Sequence, residues 1–71
     1  MGAKPGVPDL LFLIGGKLYG LELKRDRGGR LSPDQIAMHS DITAAGAVVE
    51  VAHGLDEALS VLDAWGVWVR N

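Results

Sequence analysis

Asp9, Glu22 and Lys24 are residues whose types could do chemistry together, and Leu23 stands between the last two. Two carboxylates brought to one place repel unless they are solvated, share a proton or hold a cation. Glu22 and Lys24 are two apart, so on a strand both side chains leave the same face. Leu23 then points the other way, but its backbone carbonyl lies beside the same group. Such a set would offer two carboxylates, one carbonyl oxygen and one ammonium. Hard oxygen donors with open positions suit Mg²⁺ or Mn²⁺, which keep waters and meet phosphates through them. A lysine beside the cation can position a water or stabilise charge building on a phosphate. The competing reading is an exposed Glu–Lys pair at a strand end with an unrelated aspartate after a proline.

Twelve residues separate Asp9 from Glu22, so the two meet only if the chain doubles back. Leu10–Ile14 is a short apolar run, expected to be a strand buried on both faces. Gly15-Gly16 closes it, and Lys17–Lys24 supplies a second strand with Leu18, Tyr19, Leu21 and Leu23. Two glycines between such runs predict a tight hairpin, since glycine accepts the positive φ of a type I′ turn. Centred there, the turn pairs Ile14 with Lys17, Phe12 with Tyr19 and Leu10 with Leu21. One step further out, Asp9 lies opposite Glu22. Directly opposed residues project from one face with Cβ atoms about 4.5–5.5 Å apart.

Arg25–Leu31 reads as a polar loop. Ser32-Pro33-Asp34-Gln35 then combines an N-cap serine, a proline at the first helical position and a glutamine three residues after the cap. A helix is predicted over 33–45, with Gln35, Met38, His39 and Ile42 on the stripe facing the sheet and Gly46 as its stop. A β-branched strand is predicted over 47–52, and a second helix over 55–65 with Asp56 and Glu57 in its first turn. The order is β-β-α-β-α: an α/β fold with a small mixed sheet flanked by helices.

The chain has 71 residues, 48% of them hydrophobic and 23% charged, with no cysteine and a net charge of −2. That is globular composition and excludes a disordered chain, disulfide staples, cysteine zinc knuckles and thiol nucleophiles. One domain over residues 1–71 is expected. No stretch is long and apolar enough for a membrane span or a signal peptide, so a soluble cytoplasmic protein is expected. Mild acidity argues against a protein that coats nucleic acid, yet four of the seven basic residues fall between Lys24 and Arg30. Arg25, Arg27 and Arg30 could grip phosphates locally, or could belong to a solvated loop.

Gly6-Val7-Pro8-Asp9-Leu10, Glu22-Leu23-Lys24, Leu31-Ser32-Pro33-Asp34-Gln35 and Asp56-Glu57-Ala58-Leu59 together resemble the VRR-NUC domain (virus-type replication-repair nuclease) of the PD-(D/E)XK superfamily. The resemblance covers Lys4 to Val67. It implies a minimal PD-(D/E)XK core, with Asp9, Glu22 and the Leu23 carbonyl as ligands of Mg²⁺ or Mn²⁺. Lys24 would be the catalytic lysine and Gln35 the active-site glutamine on the helix after the core motif. The implied activity is metal-dependent endonucleolytic hydrolysis of DNA, with branched, Holliday-junction-like substrates. Family members usually carry a further N-terminal helix with an acidic residue, and this chain has only eight residues before Asp9. A second protomer could supply that cover, so a homodimer or higher symmetric oligomer is expected, with Trp68 in the apolar tail at its interface. The alternative function is a non-catalytic DNA-binding or protein-assembly module on a truncated nuclease fold.

Other candidates are weaker. His39 and His53 lack cysteine or carboxylate neighbours in ligand spacing, so zinc is not expected, and His39 reads as a packing or surface residue. Ser32 and Ser40 have no triad partners. Trp65 reads as a core anchor.

Overall fold

A computed structural model describes residues 5–25 and 28–67. The elements run β1 (Leu10–Ile14), β2 (Lys17–Lys24), α1 (Pro33–Ala44), β3 (Val48–His53) and α2 (Leu55–Ala64). This is the β-β-α-β-α order expected, in one three-stranded mixed sheet ordered β1-β2-β3. β1 and β2 are antiparallel, with Leu10 opposite Leu21, Phe12 opposite Tyr19 and Ile14 opposite Lys17. That is the predicted register, and Gly15 and Gly16 take φ of 58° and 80°, the conformation a type I′ turn demands. β2 and β3 are parallel, which requires the crossover that α1 provides.

α1 begins with the full capping box: Ser32 Oγ accepts from the Gln35 N–H, and the Gln35 side chain accepts from the Ser32 N–H. Both helices end in the same hydrogen-bond pattern. The Gly46 N–H donates to Thr43 and Ala47 to Ile42; the Gly66 N–H donates to Asp63 and Val67 to Leu62. Gly46 and Gly66 hold the left-handed φ that this Schellman closure needs.

β2 is the centre of the molecule, and its alternation divides the structure into two layers. Leu21 faces α2 in a core with Ala52 and Ala58, against which Val61, Leu62 and Trp65 pack. Trp65 meets Tyr19 at 5.0 Å and Phe12 edge-on at 6.3 Å between ring centres, the core anchoring expected of it. Glu22, the next residue, faces the α1 side. Leu21 and Glu22 are the largest fully buried side chains among the described residues, one apolar and one an acid.

β1 departs from expectation. It is not buried on both faces: Leu11 is 50% and Leu13 75% exposed. The reason is its place at the sheet edge, with α1 packed toward β3. No helix among the described residues is long and apolar enough to cross a membrane. Arg27, Trp68 and Val69 lie outside the described residues.

Candidate active site

The segment before β1 is wedged in place by two close approaches. Gly6, at φ 87°, has no room for a Cβ because the Asp34 carbonyl in the first turn of α1 occupies that space. Pro8 is buried against Gly20 of β2, where a Cβ would lie 2.9 Å from Pro8 Cγ. Glycine at both points lets the segment sit between helix and sheet, and Asp9 emerges from it at the strand end. Its Oδ2 accepts the Leu23 N–H at 2.9 Å, so the aspartate continues the hairpin ladder with its side chain. Asp9 is exposed, whereas Glu22 behind it is 1% exposed.

Gln35 joins the two halves of the site. Its Oε1 accepts from Lys24 Nζ at 2.8 Å and from the Ser32 N–H at 2.9 Å, while its Nε2 donates to Glu22 Oε2 at 3.1 Å. With two donors at the oxygen and a carboxylate at the nitrogen, the amide has one sensible orientation. The capping role and the site role are therefore one arrangement: the helix start holds the glutamine, and the glutamine holds lysine and glutamate. Lys24 Nζ stands 3.9 Å from Glu22 Oε2.

Burial pushes the Glu22 carboxyl up to about 7; the Asp9 carboxyl beside it pushes the same way, and Lys24 only partly opposes them. One Glu22 oxygen, Oε1, is buried without a hydrogen-bond partner among the described residues. His39 is buried too, and its Nε2 lies 3.4 Å from that oxygen, also without a hydrogen-bond partner. Burial, with Lys24 nearby, holds the imidazole below its usual range, so the neutral form is favoured. The spacing of four from Gln35 had set His39 on the sheet-facing stripe, but residue types alone did not give Glu22 as its neighbour.

The structure thus brings Asp9, Glu22, Leu23, Lys24 and Gln35 together. Arg25 and Arg30 are exposed on the loop beyond β2. Gly29 abuts the backbone of Arg25, and its carbonyl meets His53 Nε2 at 3.0 Å. The site's fit to a divalent cation can be judged from Glu22. A carboxylate oxygen buried without a donor costs about 1–3 kcal/mol, and a cation beside it removes that cost. Among the described residues no three His, Asp or Glu side chains form a ready cluster. Mg²⁺ does not need one, because it is commonly held by one or two carboxylates with waters completing its shell. The donor set therefore fits a Mg²⁺-type ion.

No family model matches this chain, and neither a curated protein nor a solved structure does.

Proposed function

We propose that this chain is a metal-dependent nuclease of the VRR-NUC type that hydrolyses DNA phosphodiester bonds, with branched DNA as its substrate class. The observation that carries the proposal is Glu22: a fully buried acid with one free oxygen, hydrogen-bonded through Gln35 to Lys24 and set beside Asp9. A buried acid with an unsatisfied oxygen is costly to keep in its charged form, and a functional role accounts for that cost. Asp9, Glu22 and the Leu23 carbonyl would hold Mg²⁺ or Mn²⁺. When bound, such an ion supplies Lewis acidity toward a phosphate and lowers the pKa of an attacking water. Lys24 keeps a cationic group at the edge of the site, where it offsets negative charge that grows on the phosphate. Gln35 fixes the Lys24 ammonium and the Glu22 carboxylate relative to each other, so neither reorganises during reaction. Arg25, Arg27 and Arg30 would hold flanking phosphates from the loop.

Cleavage assays on branched, flapped and linear DNA test this. Hydrolysis should require Mg²⁺ or Mn²⁺, and Asp9→Asn or Glu22→Gln should lower the rate about 100-fold or more. Lys24→Met should do the same while leaving cation binding in place. Full cleavage in chelator, or in the Glu22→Gln protein, would overturn the assignment.

A further inference from the structure

The carboxyl end of β3 carries a histidine that the chemistry proposed above leaves unused. His53 Nε2 lies 3.0 Å from the Gly29 carbonyl oxygen. A carbonyl only accepts, so Nε2 bears the proton and the imidazole is the donor. The ring is steadied from α2, where Glu57 Oε1 accepts the His53 backbone N–H at 2.8 Å and stands 3.8 Å from Nδ1. Gly29 is held as closely on its other side. A Cβ placed on it would lie 2.9 Å from the Arg25 nitrogen and 2.9 Å from Lys24 Cβ. The Gly54 N–H also donates to the Lys24 carbonyl at 3.0 Å. The end of β3 thus holds Lys24 by its main chain and, through Gly29, packs against the base of its side chain.

We propose that His53 is a positioning residue for DNA: by holding the Gly29 carbonyl it sets Arg30, the next residue, at a fixed offset from Lys24. The proposal rests on the nuclease reading and concerns how a flanking phosphate is gripped. Arg30 is exposed, and a backbone already fixed beside it lowers the ordering cost of its contact with a phosphate. Lys24 Nζ keeps its own tie to Gln35 Oε1, so loss of the His53 contact acts on binding more than on the chemical step.

Steady-state cleavage and salt-dependent binding of branched DNA by the full chain test this. His53→Ala should raise KM about 10-fold, the worth of one hydrogen bond, and change kcat less than about 3-fold. Its slope of log K against log salt should flatten by about 1, one phosphate contact. His53→Gln, whose amide can donate in place of Nε2, should restore KM to within about 3-fold of wild type. A variant that merely loses folded protein would lower apparent kcat and leave KM alone. Because His53→Ala could unfold, Gly29→Ala approaches the contact from the other side and should raise KM similarly. Long-range ¹H–¹⁵N spectra of wild-type protein should show the neutral His53 ring protonated on Nε2. Wild-type KM and salt slope in either alanine variant, no rescue by His53→Gln, or a neutral ring protonated on Nδ1 overturns the positioning role. Those results leave the nuclease reading standing so long as wild-type protein cleaves with Mg²⁺. Wild-type protein that neither binds nor cleaves DNA removes both.

Discussion

Glu22 and Leu21 are neighbours on β2 and equally buried, but burial acts on them in opposite senses. For Leu21 it is the source of stability; for Glu22 it disfavours the charged form. The folded carboxyl sits at about 7 against an ordinary 4.5, so the folded state holds this proton more firmly than the unfolded chain. Stability from this group is therefore full below pH 4.5 and is lost as pH rises to 7, a change of at most about 3 kcal/mol. His39 runs the other way, since its lowered value favours the fold as pH rises past the usual imidazole range. Comparing wild type with Glu22→Gln in chelator isolates the acid. Urea midpoints should diverge with pH, the variant becoming the more stable protein at pH 8 and the difference shrinking by pH 5. Parallel midpoints across that range would show that Glu22 does not sit uncompensated in the metal-free fold. Much of the site was legible in residue types alone: the opposed acids, the Glu-X-Lys alternation and the capping glutamine each follow from spacing. The place of His39 on the sheet-facing stripe was legible too, but not its contact with Glu22, because a histidine on a helix says nothing of what the opposite layer presents to it.

The elements carry the site through a few close approaches of backbone to ring and backbone to backbone. Gly20 shows this best. It has an ordinary β-strand role, and what forbids a side chain there is Pro8, 2.9 Å from where a Cβ would be. Gly20→Ala should force Pro8 outward and draw Asp9 from the Leu23 N–H, lowering stability by about 1–3 kcal/mol. Cation affinity should fall with it. An alanine protein with unchanged denaturant midpoint and unchanged Mg²⁺ binding would mean that Pro8 does not set the aspartate. The loop after β2 makes a separate case. Its arginines belong to an acidic chain, so any grip on DNA must come from them locally. Changing Arg25, Arg27 and Arg30 together to alanine should weaken DNA binding and flatten the dependence of log K on log salt by about 2–3, near 0.9 for each phosphate no longer neutralised. An unchanged salt slope would reduce the loop to a connection. The hairpin, both helices and the parallel third strand were readable because turn glycines, caps and β-branched runs are local signals. The exposure of β1 was not, since an apolar run does not reveal what lies across it.

At the scale of the whole molecule, the fully buried side chains are few and the uncovered apolar surface is concentrated. Leu21, Ala52 and Ala58 are the buried apolar residues among those described, while Leu11, Leu13 and Leu18 stand exposed together on the face opposite α2. Among the described residues β1 ends the sheet, and its five residues, Leu10–Ile14, include no charge and no proline, the devices that usually blunt an edge strand. A second copy of the chain would suit such an edge. Two β1 strands meeting antiparallel across a two-fold axis satisfy each other's backbone groups, and the identical leucines cover one another without leaving a further edge of the same kind. Sedimentation at micromolar concentration should therefore show a dimer, with Leu13→Lys shifting the protein to monomer while its circular dichroism stays native. Trp65→Ala is a poor probe, since that ring packs against Phe12 and Tyr19 in the core. Trp68→Ala is the useful contrast: loss of the dimer there with retention in Leu13→Lys would move the interface from the strand edge to the tail. A wild-type protein that stays monomeric at every concentration would mean that this sheet edge is tolerated in water.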